Sequence, residues 1–167
     1  MKHTLVALME DKPGVLNRIS GLFRRRNYNI ESLAVGHSET PDISRMTIVV
    51  DGDERIVEQV VKQLCKLINV TEVVDVSQQA TVVRELALIK VEAEPGVRTE
   101  IIELASIFRA RVVDVGAQSM TVEITGPESR VNSLIGLLQP YGIKELARTG
   151  RVAMVRSGDA NGIAYSM

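Results

Sequence analysis

Tryptophan is absent from this 167-residue sequence, and aromatic residues make up only 3% of it. Base-stacking platforms and aromatic sugar shelves are thereby excluded, and the core has to be built from Val, Ile, Leu and Ala. A single cysteine, Cys65, allows neither an internal disulfide nor a cysteine cluster for zinc. The two histidines, His3 and His37, read as a strand end and a loop residue rather than as metal ligands. Neither sign of charge is in excess: 20 Lys and Arg stand against 21 Asp and Glu, a net charge of -1, so nothing calls for a polyanionic partner. No apolar run approaches the roughly 18 residues of a membrane span. Glu10 and Asp11 cut off the short apolar run at the N-terminus before it can serve as a signal-peptide core. These absences point to a cytoplasmic protein with no nucleic-acid and no membrane partner.

What the sequence does contain is a pattern passed over twice. His3 to Met9 reads as a buried strand that Pro13-Gly14 breaks. Val15, Leu16, Ile19, Leu22 and Phe23 then mark one helix face, which ends at Arg24-Arg25-Arg26 and the asparagines Asn27 and Asn29. Ile30 to Val35 and Met46 to Val50 read as a strand hairpin. Val57, Val60, Val61, Leu64, Leu67 and Ile68 restore the helical period, and Val70 to Val76 returns to strand composition. The order is β-α-β-β-α-β.

The second half repeats it. Pro13-Gly14-Val15 matches Pro95-Gly96-Val97, Phe23-Arg24 matches Phe108-Arg109, and Met46-Thr47 matches Met120-Thr121. These matches predict a second helix one turn longer than the first and a second hairpin shorter by eleven residues. The fold class is therefore α+β: two ferredoxin-like βαββαβ domains, each an antiparallel sheet with both helices on one face. The expected boundaries are a first domain over 1–76, a linker over 77–83, a second domain over 84–158 and a frayed tail over 159–167.

A strand, a Pro-Gly turn and an amphipathic helix put free backbone N–H groups at the positive end of a helix dipole, a place for an anion. The plain alternative is that Pro-Gly merely starts the helix. Asp11 adds a carboxylate beside the turn, and Asn27 and Asn29 lie where a second chain in a dimer can bring them opposite it. With Ile30, Leu33 and Val35 as apolar walls, the set describes a site for a free apolar amino acid: amides for its carboxylate, Asp or Asn oxygens for its ammonium. In the second copy Ala93 matches Asp11 and Asp114 matches Asn29, so that copy is expected not to bind the same ligand.

The run from Glu10 through Gly36, followed by Ser44 to Val50 and Val57 to Val73, resembles the N-terminal ACT domain of the small, regulatory subunit of acetolactate synthase. Arg84 to Val91, Phe108 to Val115 and Glu145 to Gly158 are similar to that family's C-terminal domain. The resemblance implies a chain without catalytic residues that activates a large catalytic subunit and confers feedback inhibition by valine or another branched-chain amino acid. It places the effector between two ACT domains of a homodimer, with Asp11, Gly14, Val15 and Leu16 from one chain and Asn29, Ile30 and Val35 from the other. Thiamine diphosphate, magnesium and FAD belong on this reading to the large subunit, and the small chain holds no cofactor or metal. Many relatives carry Asn where Asp11 stands, so this carboxylate has to turn toward the effector's ammonium rather than its carboxylate.

The remaining features are quieter. The three arginines read as a solvated helix end, Cys65 as a thiol beside the core, and Asp51, Asp53 and Glu54 as too sparse for a calcium loop. Asn69-Val70-Thr71 has the form of a glycosylation sequon. No nucleophile with a base and no phosphate loop appears, which argues against an enzyme. A different class, a free-standing double-ACT sensor controlling transcription through a protein partner, shares the amino-acid site. It would lack a helix-turn-helix of its own.

Overall fold

In the computed structural model, residues 1–157 and the backbone of 164–165 are described. The chain divides into two compact units, Met1–Val82 together with the segment from Arg151, and Val83–Gly150.

In the first unit β1 (Lys2–Glu10), α1 (Val15–Arg26), β2 (Ile30–His37), β3 (Ile43–Asp51), α2 (Glu54–Leu64) and β4 (Val70–Asp75) follow in the expected order. The sheet runs β4-β1-β3-β2, the ferredoxin-like arrangement, with every described pairing antiparallel. Leu5, Ala7 and Met9 of β1 and Met46, Ile48 and Val50 of β3 alternate onto the face that packs with Ile19, Leu22, Phe23, Val57, Val60, Val61 and Leu64 of the helices. The period-2 and period-3.6 patterns thus meet in one aliphatic core. Leu16 departs from the helix face assigned to it and is 47% exposed. Helix α2 is capped by Asp53, whose side chain accepts from the Ile56 N–H at 2.9 Å, and it ends at Leu64. Ile68 is therefore outside the helix and 81% exposed. Cys65 is the C-cap of α2, and burial pushes its thiol pKa up.

In the second unit β5 (Thr81–Glu92), α3 (Arg98–Ile107), β6 (Arg111–Val115), β7 (Ser119–Gly126), α4 (Glu128–Leu138) and β8 (Ile143–Arg148) repeat the order, with the sheet β8-β5-β7-β6. Its core is made by Ala87, Ile89, Val91, Met120, Val122 and Ile124 against Ile101, Val131, Leu134 and Leu138.

Three expectations change. Helix α3 has 10 residues against 12 in α1, so the second helix is not a turn longer. The left-handed residues that follow the two helices, Asn27 (φ 55) and Arg109 (φ 54), stand 82 apart, the same offset as the Pro-Gly turns. Tyr28 N–H donates to Phe23 and Ala110 N–H to Ala105, so Phe23 corresponds to the buried Ala105 and not to Phe108. The shortening of the second hairpin is shared between its loop and its strands: β6 has five residues where β2 has eight.

The compact second unit closes at Gly150, within the span expected for the second domain. After Gly150, β9 (Val152–Val155) pairs with β5, while the segment from Arg151 groups with the first unit. Arg45 donates from Nη2 to the Ala153 carbonyl at 3.0 Å, and the Arg156 N–H donates to the Ala80 carbonyl at 2.8 Å. The physical reason is pairing: a short β-branched strand takes whichever edge lies open to it, and its own composition does not name the partner. Of the expected frayed tail, 159–163 and 166–167 lie outside the described residues, while β10 (Ala164–Tyr165) pairs with Val74 and Val73 of β4.

A candidate effector site at the first turn

The first turn is built on Gly14, the N-cap of α1, in the left-handed conformation at φ 87. Only glycine adopts this without strain, and a β-carbon built there meets nothing within 4 Å. The space in front of the turn is therefore open. The first intrahelical bond runs from Arg18 N–H to the Gly14 carbonyl, and no side chain caps the helix. The Val15 N–H turns back to the Lys12 carbonyl at 3.4 Å, and the amides that follow it in the first turn are left to a ligand or to water.

A polar frame holds the turn in place. Asp11 N–H donates to the Asp42 carbonyl at 2.8 Å, tying β1 to the β2–β3 loop. Asn69 Nδ2 donates to Glu10 Oε2 at 2.6 Å, and Arg18 donates to Asn69 Oδ1 at 2.5 Å, which joins β1, α1 and the approach to β4. Glu10 titrates below the usual carboxylate range because Asn69 and then Lys12 hydrogen-bond its charged form. His37 Nδ1 stands 3.1 Å from Asp11 Oδ2. Sequence reasoning gave Glu10, Arg18, His37 and Asn69 no role at this turn. Only for His37 was there a signal, an imidazole at the end of the strand whose loop faces the turn.

The seven candidate residues fall into two groups. Asp11, Gly14 and Leu16 are exposed together at the turn, while the Val15 side chain is buried in the core, so that only its backbone faces outward. Asn29, which donates to Glu31 at 2.7 Å, and the half-buried Ile30 lie at the start of β2. Val35 lies near the other end of β2 and, like Leu33, is 41% exposed. β1 and β2 both flank β3 antiparallel, so within one chain the turn sits beside the His37 end of β2. The Asn29 end is about 20 Å further along the strand. One chain brings Asp11, Gly14, Leu16 and Val35 toward each other and leaves Asn29 and Ile30 apart.

The second turn is different in kind. Gly96 is not left-handed, and α3 starts one residue later, at Arg98, with Val97 as its N-cap. Arg98, the counterpart of Leu16, donates from Nε to the Ala93 carbonyl at 3.0 Å and from Nη2 to the carbonyls of Gly116 and Ala117 at 2.7 and 2.6 Å. Its guanidinium thus closes the turn onto the β6–β7 loop. Asp114 is not the counterpart of Asn29: it pairs with Thr121 inside β6, whereas Asn29 precedes its strand. The acid expected to repel a ligand carboxylate is not at the place assigned to it.

Among the described residues no group of three His, Cys, Asp or Glu is arranged to hold a metal ion, and no helix is long and apolar enough to cross a membrane.

Two ferredoxin-like domains in tandem, the first with an open turn at a helix N-terminus and an exposed edge strand, define an ACT-type protein. The family model described as "AHAS small subunit-like ACT domain" matches residues 5–72, and "Small subunit of acetolactate synthase" matches residues 84–157. The chain belongs to the acetolactate synthase small-subunit family. It is 59% identical over 156 residues to the probable acetolactate synthase small subunit of Archaeoglobus fulgidus, covering 93% of this chain and 98% of that one. It is 51% identical over 162 residues to the acetolactate synthase small subunit of Mycobacterium bovis, covering 97% and 96%. The crystal structure of the small subunit from Thermotoga maritima superposes with a TM-score of 0.87 at 42% identity, covering 93% and 98%.

Proposed function

We infer that this chain is the non-catalytic regulatory subunit of an acetolactate synthase, acting in the cytoplasm in branched-chain amino acid biosynthesis. It activates a large catalytic subunit that carries thiamine diphosphate, magnesium and FAD, and it makes that enzyme sensitive to valine or a similar amino acid.

The observation that carries the sensing half is the separation of the two groups of candidate residues along β2. Leu33 and Val35 are exposed on an edge strand, and an edge strand with exposed apolar side chains is a template for pairing. If two copies of β2 pair antiparallel about a two-fold axis, the Asn29 end of one strand runs beside the turn end of the other. That closes a site with amides from one chain and an Asn side chain from its partner, walled by Leu16, Ile30 and Val35. Asp11 is turned aside from the effector's carboxylate by its contact with His37, whose Nδ1 stands 3.1 Å from Oδ2. The second copy does not sense: Arg98 already spans the corresponding turn and takes up its carbonyl acceptors.

Calorimetric titration of the full chain with valine tests this reading. Saturable binding is expected, with one site per ACT turn. His37→Ala should weaken it several-fold by freeing the Asp11 carboxylate to face the ligand, and Asp11→Asn in the same chain should restore it. The melting temperature should barely move, because an exposed ion pair contributes about 1 kcal/mol at most. No binding of valine, leucine or isoleucine by the unmodified chain would contradict the sensing role.

A further inference from the structure

The chain passes between its two units twice, between Val82 and Val83 inside β5 and again between Gly150 and Arg151. The second passage has little slack. Thr149 is held in the second unit: its N–H donates to the Leu86 carbonyl at 3.0 Å, and its Oγ1 accepts from the Leu86 N–H at 3.1 Å. Arg151 is held in the first unit: its N–H donates to Ser32 Oγ at 3.3 Å, and Nη1 donates to Thr4 Oγ1 at 2.9 Å. Only Gly150, left-handed at φ 77, lies between these anchors.

The anchor points in the first unit are not arbitrary. Ser32 belongs to β2, two residues from Ile30 and three from Asn29, the strand that carries the partner half of the candidate effector site. Thr4 is buried on β1, on the sheet face turned away from the helices, as its alternation with Leu5 requires. Further along, Arg45 of β3 holds the Ala153 carbonyl. A hollow of about 230 Å3, lined by Val6, Leu8, Val74, Met154 and Val155, lies beside this segment, whose Ala153 is buried.

We propose that Arg151–Val155 is a coupling strap: effector binding that moves β2 and β1 moves the strap through Ser32, which accepts from the Arg151 N–H, and Thr4, which accepts from its guanidinium, and Gly150 passes the shift to β8 of the second unit. Arg151 and Ser32 are then positioning residues that touch neither effector nor catalytic subunit. The proposal rests on the sensing role assigned to the first turn. An effector changes the attached enzyme only if it favours one arrangement of this connection over another.

The test compares the unmodified chain with Arg151→Ala, Ser32→Ala and Arg151→Lys. Each full-length chain is titrated with valine by calorimetry and mixed with the catalytic subunit for acetolactate assays over a valine series. The expected result for Arg151→Ala and Ser32→Ala is a valine Kd within about twofold of the unmodified chain and unchanged activation without valine. Maximal inhibition should fall to less than half, and Arg151→Lys should restore most of it. Full inhibition at the original valine concentrations in both variants would overturn the strap, as would a Kd that rises in step with the loss of inhibition. Failure of the unmodified chain to bind valine would instead remove the sensing role, and the strap proposal with it.

Discussion

Gly14→Ala is expected to weaken valine binding by more than tenfold while leaving activation of the catalytic subunit intact. Two effects act at the same atom. Gly14 holds φ 87, where a side chain costs about 1 kcal/mol through its clash with the backbone. The added β-carbon meets no protein atom within 4 Å, so it projects into the space a ligand must enter to reach the first-turn amides. The same change at Gly96 should be close to neutral, since that residue is not left-handed and its β-carbon also meets nothing. Parallel titrations and melting curves of the two variants check this. Equal losses of binding at both positions would show that the two turns share the work.

Arg148→Met is expected to destabilise the second unit by about 3 kcal/mol, because it strands a buried carboxylate. Glu85 is 5% exposed, and its two oxygens accept from Nε and Nη2 of Arg148, the second at 2.9 Å. This bond to Glu85 also raises the Arg148 pKa, so the guanidinium stays charged. For a unit of this size the loss should lower the melting transition by roughly 12–24 °C. Replacing both partners, Glu85→Gln with Arg148→Met, should recover most of it, since no unpaired charge is then left inside. Activation of the catalytic subunit should disappear as that unit melts. A single variant melting within 2 °C of the unmodified chain would contradict this account of the pair.

Much of this was legible in the residues. The helix faces of α1 and α2 and the alternation of β1 and β3 follow from spacing alone, because one side of each element has to be apolar and the period fixes which side. Leu16 shows the limit. It falls within the apolar arc by position, yet at the first turn of the helix it stays about half exposed. The alignment of the two copies went astray at Phe23 and Phe108 because a shared Phe-Arg pair outweighed register. The backbone instead matches Asn27 with Arg109, left-handed residues of unlike chemistry.

The grouping of the segment from Arg151 with the first unit and the role of Arg98 were hidden for a different reason. Both depend on contacts with residues far away in sequence, Ser32 and Thr4 for Arg151 and the β6–β7 loop for Arg98. Neither residue type nor local period encodes such a partner. The turn residues themselves were found because their demand is local: a chain that reverses at φ 87 needs glycine. His37 was missed as a partner of Asp11 because β1 and β2, which lead to the two residues, had first to be set on either side of β3.

The division of labour between a sensing first unit and an acting second unit is tested most directly by mixing the purified chain with its catalytic subunit and following acetolactate formation from pyruvate. The rate should rise on mixing and fall again when valine is added. An unchanged rate on mixing, with or without valine, would contradict it.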